Sequence, residues 1–493
     1  MLAGPLVTHA QMAAWQTAVA LRPSGTNAQD PDCSIGSPNT PGDVYLVSRT
    51  VFDARGDSYL AGVFKGTVRF GAVRLVSTRP ASYDVFVAKW SRTSQRFAWA
   101  QRAGGLTDEE NGMPGNVVYD VAVRGPNVYV AGYASDSATF GSIHGRQHDA
   151  SGLFLAKLTQ QGTKASFTWI QPLDLPREGI SNQESVFITA TRTGIYLAGT
   201  YNGLAHVGPF HLSSADQLSR FNPQVLVAKL SDVGRTARFA WARQTTGTGH
   251  PRLTALAVDG ADVYIAGNFH GTAAFGANAL TSTGAQDLFV AKLSEAGPAS
   301  QFRWSSPVSA SGGIQVKALA VSKKNVYIAG AFNGRARFGD IHLENVVGAG
   351  NYAFVAKLTD TDTSGRFAWA QQSNGAGNAL ATGLAVLGQN VYVAGTYVEL
   401  AHFGTATITS AGQSDVFVCQ YTDTGSKSKF VQVMHAGGLG NDYPSVVAAS
   451  PSGGVSMSGI VTGTARFGKQ TITNLPGQAN TFLAMFHSPH RLK

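Results

Sequence analysis

Cysteine is almost missing from this chain: Cys33 and Cys419 are the two among 493 residues. Two distant thiols make neither a disulfide framework nor a metal cluster, and no bridge between them is expected. Charge is sparse too, at 14% of residues against 43% hydrophobic, which excludes a disordered chain and allows a large core. No apolar run approaches the ~18 residues of a membrane helix, so no transmembrane segment is expected. Lys and Arg number 38 against 29 Asp and Glu, a formal +9, yet no basic run of five or six occurs. That dispersion reads as a mildly basic, solvated surface and not as a nucleic-acid site.

Catalytic signatures are lacking as well. The 12 histidines form no H-E-x-x-H, and there is no G-x-S-x-G elbow, phosphate loop or paired-carboxylate pattern. The sequence therefore assigns no catalytic, cofactor-binding or metal residue and implies no cofactor.

What is present is glycine, 57 copies, scattered among Val, Tyr, Phe and Thr as many short strands and turns require. It belongs to an internal repeat. A run ending in Ala-Gly recurs at Tyr59-Leu-Ala-Gly62, Tyr129-Val-Ala-Gly132, Tyr196-Leu-Ala-Gly199 and Tyr264-Ile-Ala-Gly267. It returns at Tyr327-Ile-Ala-Gly330, Tyr392-Val-Ala-Gly395 and, degraded, at Ser456-Met-Ser-Gly459. A Phe-Gly pair follows in phase, as at Phe70-Gly71, and then an apolar run closing on Lys89, Lys157, Lys229, Lys292 and Lys357. The sixth copy has Gln420 and the seventh Met485 at that place. An aromatic run ends the first six units, as in Phe97-Ala-Trp99 and Phe167-Thr-Trp169, with Phe430-Val-Gln432 in the sixth.

These runs are short, rich in β-formers and bounded by turn residues, and none shows a long helical period. Several are apolar on both faces, as in sheets covered on both sides. The expected fold is an all-β, seven-bladed β-propeller with four-stranded blades. The repeats run approximately over 44–103, 117–172, 185–246, 253–308, 316–373, 381–436 and 445–486. The last unit lacks its aromatic strand, and Met12-Ala-Ala-Trp15-Gln16 matches Phe97-Ala-Trp99-Ala-Gln101. A closing strand over 12–20 is therefore expected to complete the last blade. Trp15, Trp99, Trp169, Trp241, Trp304 and Trp369 are read as one repeat position packed between blades, with Trp90 the exception.

Residues 1–10 look like the rear of an export signal, an apolar stretch with small residues before a cut after Ala10. The expected division is thus 1–10 as signal remnant and 11–493 as a single propeller. In their constant order, the Val-Tyr-Val-Ala-Gly, Ala-X-Phe-Gly, Asp-X-Phe-Val-Ala-Lys-Leu and Phe-X-Trp-Ala blocks resemble the SBBP family of bacterial seven-bladed propeller repeats. The resemblance spans Trp15 to about Phe486. It implies a secreted or cell-surface bacterial protein and leaves the chemistry open.

Function is expected in the variable loops between repeats, 21–43, 104–116, 173–183, 245–252, 374–381 and 437–444. The leading expectation is a non-enzymatic, monomeric binding module for a glycan or protein. An envelope scaffold and a polysaccharide hydrolase or lyase are the alternatives. Asp108-Glu109-Glu110 with Asp442 is a candidate cation or basic-partner site, read as a solvated turn. Asp360-Thr-Asp362-Thr-Ser364-Gly365 resembles the start of a calcium loop but is read as a hairpin turn. The aligned lysines are expected at blade edges, reaching to water.

Overall fold

The computed structural model describes residues 14–21, 44–80, 82–105, 116–135, 137–144, 152–175, 186–214, 222–284, 286–345, 350–450, 453–474 and 479–487. The chain is all-β, its sheets arranged as a β-propeller, with no helix among the described residues. The first repeat forms an antiparallel meander of Val44–Phe52, Ser58–Lys65, Asp84–Ser91 and Arg96–Gly104. The same order recurs in the units that follow, to residue 438. Tyr443–Ala449, Gly454–Thr462 and Ala479–His487 then form three strands, and Trp15–Leu21 pairs antiparallel with the last of them. The first strands of the units lie side by side in chain order, and Tyr443–Ala449 lies against Val44–Phe52.

A meander puts its first–second and third–fourth turns at one end of the sheet, here called the hairpin end. The connections between units lie at the other, the loop end. The core sits between neighbouring sheets. Phe154, Ala156 and Leu158 face the first unit's Tyr59, Val87 and Trp99, while Leu155 and Trp169 face the third unit's Leu197 and Leu226. Strands apolar on both faces are what such double cover demands.

The aromatic strand needs more than alternation. Phe167 and Trp169 are two apart and would share a face in a regular strand. The register slips between Lys157 and Leu158, leaving Thr168 as an extra residue. That bulge sends Phe167 to one neighbouring sheet and Trp169 to the other. The same slip recurs at Lys229/Leu230, Lys292/Leu293 and Lys357/Leu358.

The closing strand departs from its expected register. Trp15 pairs with Phe486 and Thr17 with Met485, with Gln16 as the extra residue. Trp15 therefore takes the place of Phe97 and Phe167, and Thr17 takes the place of Trp99. Trp15 accordingly packs edge-on against Phe467 at 5.4 Å, as Phe97 does against Phe70 at 5.1 Å. Its equivalence to the other tryptophans is thus corrected by two residues. The remaining five are buried between sheets, from 0% to 4% exposed.

Between the second and third strands lies a small hairpin that the sequence pattern did not separate, such as Thr67–Phe70 with Val73–Val76. The Phe-Gly pair forms its turn: Gly71 has φ 61°, a left-handed conformation that glycine adopts freely, and Phe70 is buried.

Candidate functional site

The repeat-position side chains converge at the hairpin end. The lysine, the tyrosine of the Ala-Gly strand and the tryptophan of the aromatic strand meet one acid from the turn of the next unit. Asp423 shows the arrangement in full. It accepts from Lys357 Nζ at 2.6 Å, Tyr327 Oη at 2.7 Å and Trp369 Nε1 at 3.1 Å, and its own Gly425 N–H at 2.9 Å. Asp360 takes Lys292 at 2.5 Å, Tyr264 at 2.7 Å and Trp304 at 2.9 Å. Asp232 takes Lys157 at 2.7 Å, Tyr129 at 2.8 Å and Trp169 at 3.3 Å. Glu295 takes Lys229 and, at 2.5 Å, Tyr196.

These lysines do not reach to water as expected. Lys157, Lys229, Lys292 and Lys357 are between 1% and 7% exposed, because each side chain crosses a joint to a carboxylate. Burial alone would raise the four carboxyl pKa values, but the lysine and tyrosine bonds outweigh it and hold Asp232, Glu295, Asp360 and Asp423 below the ordinary range. Groups so paired are committed to structure and are closed to a ligand.

The first joint is a variant. Gln160 stands where the acid would be, its Oε1 3.4 Å from both Lys89 Nζ and Trp99 Nε1, and its Nε2 donates to Tyr59 Oη at 2.9 Å. Lys89 instead pairs with Asp57 of its own unit at 2.9 Å. A cavity of about 430 Å³ opens there, lined by Asp53, Arg55, Lys89, Gly125, Pro126 and Gln160.

The calcium-like segment is a hairpin turn. Asp362 N–H donates to Asp360 at 2.8 Å. Asp262, Asp360 and Asp362 do come together, but around the ammonium of Lys292, at 2.8, 2.5 and 3.1 Å. The trio holds a lysine in the place a cation would take.

At the loop end, loop 21–43 and most of 104–116 and 173–183, with Asp108, Glu109 and Glu110, lie outside the described residues. So does Cys33; Cys419 is a buried free thiol. Asp442 is not on a solvated turn. It is 0% exposed and accepts the N–H groups of Gly438 and Thr462 at 2.9 Å each. A Cβ on Gly437 would stand 2.2 Å from Asp415 Oδ1 and 2.8 Å from Asp442 Oδ2, so only glycine fits between these carboxylates. Burial foremost, with Asp415 adding to it, pushes Asp442 up to about 6. Burial raises Asp415 as well. Two carboxylates 27 apart in the numbering thus lie near each other, which sequence motifs did not reveal, but both are buried and their bonds secure the loop backbone. The same loop presents Leu439, 83% exposed, and Tyr443, 47% exposed.

One further charge was not singled out in the sequence. Asp120, an acid inside the apolar run Val117–Arg124, bridges first strands by accepting Ile188 N–H at 2.8 Å. Burial pushes it up to about 6, with Arg49 3.9 Å away.

No family model matches the chain, and no curated protein matches it. Solved structures of similar shape include Drosophila Plexin A in complex with Semaphorin 1b, at 9% identity and TM-score 0.40, covering 92% of this chain and 86% of that one. Drosophila Semaphorin 2a follows at 8% identity and TM-score 0.39, covering 88% and 74%. Phage phi92 endosialidase stands at 9% and 0.38, covering 92% and 68%. At these identities the likeness concerns shape and carries nothing about ligands.

Proposed function

We propose that this chain is an exported seven-bladed propeller of the SBBP repeat type that serves as a monomeric binding module for a glycan or protein. Recognition is assigned to the loop end. One observation carries the reading: the lysines, tyrosines and tryptophans fixed by the repeat are consumed in the joints, whereas the inter-repeat loops differ and leave Leu439 and Tyr443 exposed. Exposed apolar and aromatic side chains on non-repeating loops are what a binding face offers.

The count of seven blades is supported by the cyclic neighbourhood of the first strands and by the Trp15–Leu21 pairing. Export is supported by the apolar stretch before Ala10. Purified 11–493 protein, applied to panels of soluble polysaccharides and surface proteins with product analysis, tests the function. A specific hit weakened about tenfold by Leu439→Ser with Tyr443→Ser, a loss of anchor side chains, supports it. Product release would replace it with an enzyme, and a blank from folded protein would remove it.

A further inference from the structure

The excess positive charge shows no run along the sequence, yet the repeat gathers it in space. In the second, fourth, fifth and sixth units a backbone bond ties the third–fourth turn to the first–second turn, as in Gln160 N–H to Pro126 O at 2.8 Å and Asp423 N–H to Gln389 O at 2.7 Å. In the first unit Arg92 N–H donates to the Asp57 carboxylate at 2.9 Å. Meander order places both turns of every unit at the hairpin end, where they present one surface.

On the first three units that surface is cationic. Arg55 and Arg96, then Arg124 and Lys164, then Arg192 and Arg235 are all exposed. Two acids of the same turns are paired with lysines, Asp57 with Lys89 and Asp232 with Lys157. Asp53, at the cavity wall beside Arg55, is held by uncharged donors, the N–H groups of Arg55 and Asp57 and the Tyr59 hydroxyl. The joints draw the negative charge inward and leave the positive charge outside. In the fourth unit exposed Asp259 interrupts the series. The cavity at the Gln160 joint lies inside this arc, between Arg55 and Gly125–Pro126.

We propose that this arc binds an acidic polysaccharide, with carboxylated sugar units meeting the arginines and one unit seated in the cavity beside Gln160. A curved row of cations suits a flexible linear polyanion, which can follow it from unit to unit. Duplex DNA is stiff over ~50 nm and touches a chord of the arc. These turns expose no Trp, Tyr or Phe among the described residues, so they lack the stacking platform of single-strand binders. Val233 is their exposed large apolar side chain, too little to anchor a membrane. The arc stands at the opposite end from the loops of the proposed function and does not depend on that reading.

The test measures binding of polygalacturonate to the whole chain at about 50 mM salt, with neutral dextran as control. Polygalacturonate is expected to bind and dextran not. Affinity should fall about tenfold or more between about 50 and 200 mM salt, as counterion release requires. The triple variant Arg55→Gln, Arg124→Gln, Arg192→Gln should lose about tenfold with unchanged melting, because the three side chains are exposed. Lys323→Gln with Lys427→Gln, outside the arc, should stay within about twofold of the parent. Leu439→Ser should leave the affinity unchanged. No binding at low salt, equal loss in the two charge variants, or tighter binding to duplex DNA or phosphatidylglycerol vesicles would overturn the proposal.

Discussion

The joints from the second to the sixth unit and the seam around the last sheet are built from the same fold and held differently. Across each of the former, an acid of one unit collects a lysine and a tyrosine of the unit before it. At the seam this chemistry is gone. Gln420 and Gln432 replace lysine and tryptophan in the sixth unit and bond each other at 2.9 Å. In the last sheet Met485, Ser456 and Thr17 occupy the positions of lysine, tyrosine and tryptophan. The cause is topological. The acid sits on the turn between third and fourth strands, and in the last sheet those strands come from opposite ends of the chain. No turn joins them, so no acid can be offered to Gln420. A lysine there would be a buried charge without a partner, which costs far more than a pair of amides. The seam relies on apolar contacts such as Leu60 and Phe64 with Leu483, and on Trp15 Nε1 donating to His435 O at 3.2 Å.

The sharpest way to break this contrast is Asp423→Ala. It removes the carboxylate from Lys357, 3% exposed, which keeps the Gly425 carbonyl at 2.9 Å, and takes the acceptor from the Tyr327 hydroxyl and Trp369 N–H. A loss of about 3–5 kcal/mol is expected in denaturant unfolding, whereas Gln432→Ala should cost about 1 kcal/mol. Equal losses at the two places would mean that the ion pairs do not distinguish joint from seam.

Acid should separate the two regions further. Asp232, Glu295, Asp360 and Asp423 have lowered pKa values. Their stability is present above the unfolded value near 4 and is lost as pH falls through the lower folded values. Asp442, raised to about 6 beside the seam, behaves oppositely. The folded state keeps a proton there that the unfolded chain has released, so stability present below about pH 4 is lost as pH rises through 6. The contribution is roughly 2–3 kcal/mol. Unfolding of Asp442→Asn across pH 4 to 7 should lack that decline; an unchanged profile would place the proton elsewhere.

Gln420→Lys tests whether the seam excludes a lysine for want of an acid. The position is 6% exposed. A loss of about 2 kcal/mol or more is expected, easing as pH rises, because the buried amine holds its proton less tightly than in the unfolded chain. A neutral result would show that the seam accommodates charge as readily as the joints.

Much of this was legible as a repeat and little of it as chemistry. Strand order, the Ala-Gly strands and the buried tryptophans follow from periodicity, because packing between sheets imposes the same side chain at the same phase. The lysines also follow the period but were misread, because their partners lie in the next unit, about one repeat away. A signal did exist: lysines occupy units one to five, while Gln160, Asp232, Glu295, Asp360 and Asp423 occupy units two to six. That offset by one unit is what a bond across each joint leaves in a sequence. Trp15 was misplaced because a bulge at Gln16 is invisible to residue matching. Asp415 holds the repeat position of Asp84 and Asp287, but its neighbour Asp442 was not legible because loop 437–444, which carries it, has no period.

Gln160→Glu is the gentlest probe, since it would give the first joint the acid the later joints have. The introduced carboxylate would meet the amine of Lys89, the indole N–H of Trp99 and the Tyr59 hydroxyl, whose one proton would turn from Asp53 to the new acid. Lys89 already holds Asp57 and is 14% exposed at its side chain, so part of the attraction is spent and part is screened. The expected gain is therefore under about 1 kcal/mol, appearing above the pKa of the new acid and vanishing below it. The same change places a negative charge in the floor of the cationic arc, and polygalacturonate binding should weaken about twofold to threefold as stability rises. A gain in both stability and binding would mean that the cavity beside Gln160 is not where the polyanion sits.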